Sequence, residues 1–179
     1  VAVHLVRHAR PLVEPGRPPH TWGLDPAGFD EVWALRESGR LPRRAAWLSS
    51  PEPKAVGTAQ LLTDGEVSVL DGLREHVRES TQWLEDFPAV VRRAFAAPDE
   101  SAHPGWEPLA ACRERVVRAV DAVLADHDGD EVVLVGHGTA WTLVAAHLRG
   151  EAPDLDRWER LGMPDVIRVD DPRRGPRAR

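Results

Sequence analysis

The stretch VHLVRHAR (residues 3–10) runs two apolar residues, Leu5 and Val6, straight into Arg7, His8 and Arg10. Two guanidiniums and an imidazole this close repel one another unless an anion sits among them. Two further stretches have the same form: LSSPEPK brings Lys54 after an apolar run, and VLVGHG brings His137 after another. Clustered histidines also hold metals, but zinc takes carboxylate or thiolate partners, and Arg7 beside His8 repels a cation. LVGHG shares its framing glycines with the nucleophile elbow of serine hydrolases, yet His137 stands where the serine belongs. Phosphate fits best. Arginine offers a planar fork, lysine a point charge and imidazolium a further donor, and an unprotonated imidazole nitrogen can act as a nucleophile.

These groups meet only if the chain between them forms strands that end at one edge. AVHLV reads as a short buried strand, followed by a proline- and glycine-rich loop over 11–23. Asp25-Pro26 is a helix start that Gly39 stops, with Phe29, Val32, Trp33 and Arg36 on one face. A second strand at 45–50 precedes a proline-opened helix, a third strand lies at 67–70, and residues 83–97 have helical spacing. The segment 104–130 is a longer helix, EVVLVG a further strand, TAWTLVAAHLRG a helix and DVIRVDD an edge strand. Alternation of this kind predicts a three-layer α/β/α sandwich with a mostly parallel central sheet. Ligands bind such sheets at the carboxyl ends of the strands, where Arg7, His8, Lys54 and His137 all fall.

The chain has 179 residues, 42% of them hydrophobic, which suits one domain over residues 1–171. It contains neither a bilayer-length apolar run nor a signal-peptide pattern. A single cysteine, Cys112, excludes an internal disulfide, fits a reducing, cytoplasmic setting, and is expected as a buried small residue in a helix. The net charge of −6 argues against nucleic-acid partners. The final eight residues (172–179) carry four arginines and no acid, and are expected to be a disordered basic tail.

LVRHAR, LSSPEPKAVGTAQLL, LREH and VLVGHG, in this order, resemble the histidine phosphatase superfamily, also called phosphoglycerate mutase-like. The resemblance runs from Val3 to about Val169. It implies that His8 accepts the phosphoryl group, that Arg7, Lys54 and His137 hold its oxygens, and that Glu75 in LREH protonates the leaving oxygen. It implies no metal or other cofactor, and a small phosphorylated substrate as the partner. A phosphatase is expected; a phosphomutase or a weakly catalytic phospho-ligand-binding module stays open.

Two departures stand out. The family pattern has arginine where this chain has Lys54, its only lysine against 22 arginines, and Arg10 replaces an acidic or small polar residue. Arg10 is expected to pair with Glu14 or an acidic loop residue. Glu52, Glu79 and His76 are expected near the surface, His4 and His147 in structural roles, and Trp22 and Trp83 at a substrate mouth.

Overall fold

A computed structural model of the chain describes residues 2–170; the basic tail lies outside the described residues. Five strands form one sheet: β1 (Ala2–Arg7), β2 (Ala46–Ser49), β3 (Ser68–Val69), β4 (Val132–Gly136) and β5 (Asp165–Asp170). Their order is β3-β2-β4-β1-β5, parallel throughout except for β5, which runs antiparallel along β1 at the edge. The helices are α1 (Phe29–Glu37), α2 (Pro53–Leu62), α3 (Phe87–Ala96), α4 (Leu109–Asp126), α5 (Gly138–Arg149) and α6 (Leu155–Arg160).

The period-two alternation of β1 and β4 builds both cores. Val3, Leu5, Val132 and Leu134 face α4 and α5, where they meet Val116, Val120, Trp141 and Val144. Val6, Val133 and Val135 face α1 and α2, against Val32, Leu35 and Ala59. The sheet is therefore covered on both faces, as the sandwich requires. Among the described residues, no helix is long and apolar enough to cross a membrane.

Several local readings shift. Residues Pro26–Gly28 form a 3-10 turn capped by the Asp25 side chain, and α1 starts only at Phe29. Its buried face carries Val32 and Leu35, while Trp33 is exposed. The helix expected from 83 begins at Phe87, because Asp86 caps it by accepting the N–H of Ala89. The third strand shrinks to two residues. Gly150 ends α5 at φ 67°, the left-handed cap that favours glycine. Cys112 is buried in α4, and burial pushes its thiol pKa up, so it packs as a small apolar side chain. His4 is buried beside Glu131, and His147 pairs with Asp121.

Candidate active site

β1 and β4 lie side by side in register, with Arg7 opposite Gly136, so both deliver a histidine to the same sheet edge. The His8 N–H donates to Gly136 O at 2.8 Å, and buried Trp141 donates its indole N–H to Val6 O at 2.8 Å. A Cβ on Gly136 would stand 2.5 Å from the Trp141 ring, so only glycine allows this packing. Gly138 is similarly small beside Arg7, whose Nε lies 3.3 Å from where a Cβ would be.

Buried His8 has its Nδ1 2.7 Å from Ala9 O. A carbonyl only accepts, so Nδ1 carries the proton and Nε2 keeps its lone pair. Burial, then the charges of His137, Lys54 and Arg7, hold the His8 pKa well below its ordinary 6.5. The imidazole is neutral at physiological pH. Its ring centroid lies 5.3 Å from that of His137.

His137 sits at the N-terminal cap of α5 and is fully buried. Its Nε2 is 2.7 Å from Ser50 Oγ and 3.3 Å from Glu52 Oε1, while its buried Nδ1 has no partner. Burial lowers its pKa to about 3, with Lys54, Arg78 and Arg7 adding to the shift and Glu75 opposing it.

Glu75 arrives from the segment after β3. Its Oε1 accepts the N–H groups of His76 and Ala140, and its Oε2 accepts that of Thr139, which ties it to the first turn of α5. Burial pushes its carboxyl pKa up, but Arg78, His137 and the His76 N–H outweigh that, leaving it below the usual carboxylate range.

Lys54 occupies the first turn of α2 and is buried. Its ammonium donates to Pro19 O at 2.6 Å and to Glu52 Oε2 at 2.5 Å, so two of its three N–H groups are engaged. Arg7 donates from Nη1 to Leu161 O, and its buried Nε has no partner.

Four participants were not anticipated. Glu52, expected at the surface, is only 6% exposed and links the site: it receives the Lys54 ammonium, stands beside His137 and accepts the Glu75 N–H at 3.1 Å. The Pro51 turn folds it inward. Ser50 is buried against His137, and Thr58 joins α2 to the β1 exit by accepting the Ala9 N–H at 2.9 Å. His76, also expected near the surface, is 2% exposed because its Nε2 donates to Glu107 O and its ring packs edge-on against Trp106. Glu79 is exposed, and Arg10 pairs with Asp25, an acidic loop residue.

A cavity of about 570 Å³ is lined by Arg7, His8, Lys54, Glu75 and His137, with Trp22 and Trp83 on its walls. Among the described residues, no group of three or more His, Cys, Asp or Glu side chains is placed to hold a metal ion.

Fold and site place the chain among α/β proteins that gather cations and neutral histidines at the carboxyl edge of a sheet. It belongs to the histidine phosphatase superfamily, branch 1, whose family profile matches residues 3–174. This is a superfamily of phosphoryl-transfer enzymes, phosphatases and mutases. Among solved structures, a mycobacterial glucosyl-3-phosphoglycerate phosphatase is similar with a TM-score of 0.72 and 21% identity, over 93% of this chain and 88% of that one. A phosphoserine phosphatase mutant from Entamoeba histolytica gives 0.70 and 16%, over 93% and 89%. At these identities the likeness is one of fold. A phosphoglycerate mutase from Thermus thermophilus gives 0.67 and 25%, over 97% and 95%. No curated protein matches the chain.

Proposed function

We propose that this protein is a metal-independent phosphatase that hydrolyses a small phosphomonoester through a phosphohistidine on His8. The observation that carries the reading is the His8 ring: Nδ1–H is spent on Ala9 O, leaving a neutral Nε2 in a cavity shared with Arg7, Lys54 and His137.

Arg7, the remaining Lys54 N–H and His137 hold the phosphoryl oxygens, and their charge matches the transition state. Binding a dianion beside two depressed groups raises the pKa of both, so His137 and Glu75 take up protons as the substrate arrives. As His137 becomes a cation, its Nδ1–H gains an acceptor in the phosphoryl group. His8 Nε2 attacks phosphorus, the P–N bond forms as the ester P–O bond breaks, and Glu75 gives its proton to the leaving oxygen. Water then attacks the phosphohistidine, ionised Glu75 takes a proton from it, and inorganic phosphate and neutral His8 are released.

Hydrolysis is favoured over mutase chemistry by the open mouth, where Trp83 is 73% exposed and water can reach the intermediate. The test combines p-nitrophenyl phosphate and 3-phosphoglycerate, each with and without chelator, with acid-quench trapping of the phosphoenzyme. Chelator-insensitive phosphate release and an acid-labile phosphoenzyme, both absent in His8→Ala, are expected. Full activity in His8→Ala or a phosphoserine adduct overturns the mechanism. Interconversion of phosphoglycerates makes the protein a mutase, and binding without turnover makes it a binding module.

A further inference from the structure

Two arginines line the cavity without an ion-pair partner among the described residues: Arg7 and Arg78. Elsewhere Arg36, Arg92 and Arg115 each meet a carboxylate. Both cavity arginines are half-buried, and in each the Nε itself is buried with no hydrogen-bond partner. Glu75 is the strongest negative charge acting on both, yet it forms a direct ion pair with neither, so each guanidinium keeps a buried, unspent donor that an anion in the cavity can use.

Arg78 is firmly placed. Its backbone bridges to Trp106, with Glu107 N donating to Val77 O at 3.0 Å and Glu79 N to Gly105 O at 2.8 Å. Its guanidinium lies 4.8 Å from the Phe87 ring centroid and 4.6 Å from that of Trp106. Aromatic faces hold a guanidinium by its plane and use none of its N–H groups. One nitrogen, Nη2, is tied to Thr139 Oγ1 at 3.1 Å, two residues beyond His137. Among the charges acting on Glu75, that of Arg78 is the strongest. Lys54, by contrast, has spent two of its three N–H groups on Glu52 and Pro19.

We propose that Arg78 is a substrate-binding residue that offers its guanidinium edge to the anionic oxygens of the bound phosphomonoester, supplying the forked contact that Lys54 does not make. The assignment rests on the phosphoryl-transfer reading of the site. A purely structural arginine held by Phe87 and Trp106 is the alternative.

The two differ in whether phosphate binding depends on the Arg78 guanidinium. The thermal midpoints of wild type, Arg78→Met and Arg78→Lys are measured without and with inorganic phosphate, alongside phosphate inhibition of p-nitrophenyl phosphate turnover. In phosphate-free buffer, Arg78→Met is expected to melt close to the wild-type temperature, because relief of the guanidinium's desolvation offsets the lost Thr139 bond, ring contacts and attraction of Glu75. The same variant weakens phosphate binding about ten- to a hundredfold and loses most of the phosphate-induced rise in midpoint. Arg78→Lys keeps the charge, loses the fork and falls between the two. If Arg78→Met binds phosphate as tightly as wild type, Arg78 is structural and the proposal is overturned. A wild type that neither turns over nor is stabilised by phosphate overturns the reading of the whole site, and this assignment with it.

Discussion

The Glu75 carboxylate is bonded to Thr139: Oε2 accepts the Thr139 N–H at 3.1 Å, while Oε1 holds Ala140 at 2.9 Å. A side chain that arrives after β3 therefore closes the N-terminus of the helix that starts beside His137. A carboxylate suits that end of a helix, where backbone N–H groups and the dipole stabilise negative charge. This favours the ionised form, so in the proposed mechanism Glu75 becomes a proton donor only once an anionic substrate has arrived.

Glu75→Gln separates these duties. The amide oxygen can still accept from Ala140, but its NH2 then faces the Thr139 N–H, so the folded state should lose about 1–3 kcal/mol. Proton delivery is lost, and general acid catalysis contributes about 10²- to 10⁴-fold. Alkyl phosphates should fall by that factor, whereas p-nitrophenyl phosphate, whose leaving group needs little protonation, should fall much less. Equal losses on both substrates, read from kcat/KM, would move the proton to another residue.

Lys54 and Glu52 form a buried pair, so Lys54→Met strands a carboxylate at a cost of about 3–5 kcal/mol. Adding Glu52→Gln should restore most of that in urea titrations without restoring turnover, because the phosphoryl group still lacks its ammonium. Lys54→Arg should change kcat modestly. If the double variant regains full activity, Lys54 serves only to neutralise Glu52.

Stability should fall as the pH drops from about 7 to 5. The sign follows from the histidines: the unfolded chain protonates near 6.5, whereas folded His137 holds out to about 3 and His8 stays well below its ordinary value. The unfolded state then binds more protons, and each such group steepens the loss by up to about 1.4 kcal/mol per pH unit. Urea midpoints at the two pH values measure it. His137→Asn should flatten the slope, and an unchanged slope would mean His137 is not held neutral.

Gly136→Ala should cost about 1–3 kcal/mol, since its Cβ would meet the Trp141 ring at 2.5 Å with both elements fixed in the core. Because the strand end carries His137, turnover should drop together with the melting temperature. An unaffected variant would show that β4 can slide at no cost.

His8 and His137 are legible in the sequence because each ends a β-branched or apolar run, and the fold rule for parallel sheets sends such ends to one edge. Lys54 is legible for the same reason, and so are both faces of the sandwich. Glu52, Ser50 and Arg78 are not, because what brings them to the site is packing against segments distant in the chain. Glu52 next to a proline looks like an exposed turn residue until Lys54, His137 and Glu75 close around it. Arg78 looks like one more arginine in a charged loop until the Phe87 and Trp106 rings pack against its guanidinium. The start of α3 is displaced by a cap, a local effect that apolar spacing averages away, and the buried face of α1 runs through Val32 and Leu35 and leaves Trp33 outside.

The strand carrying His8 has no sheet partner near it in the chain. Val3 lies beside Val132 and Val169, so β1 must wait for the distant half of the polypeptide before a single one of its sheet bonds can form. Closing so large a loop is slow in folding, and pairings of this kind are made late. During synthesis the Arg7-His8 segment emerges before β4 and β5, without its pocket. The His8 imidazole therefore gains its buried, desolvated setting only when the central strands zip together, so assembly of the cavity and completion of the sheet arrive in one event.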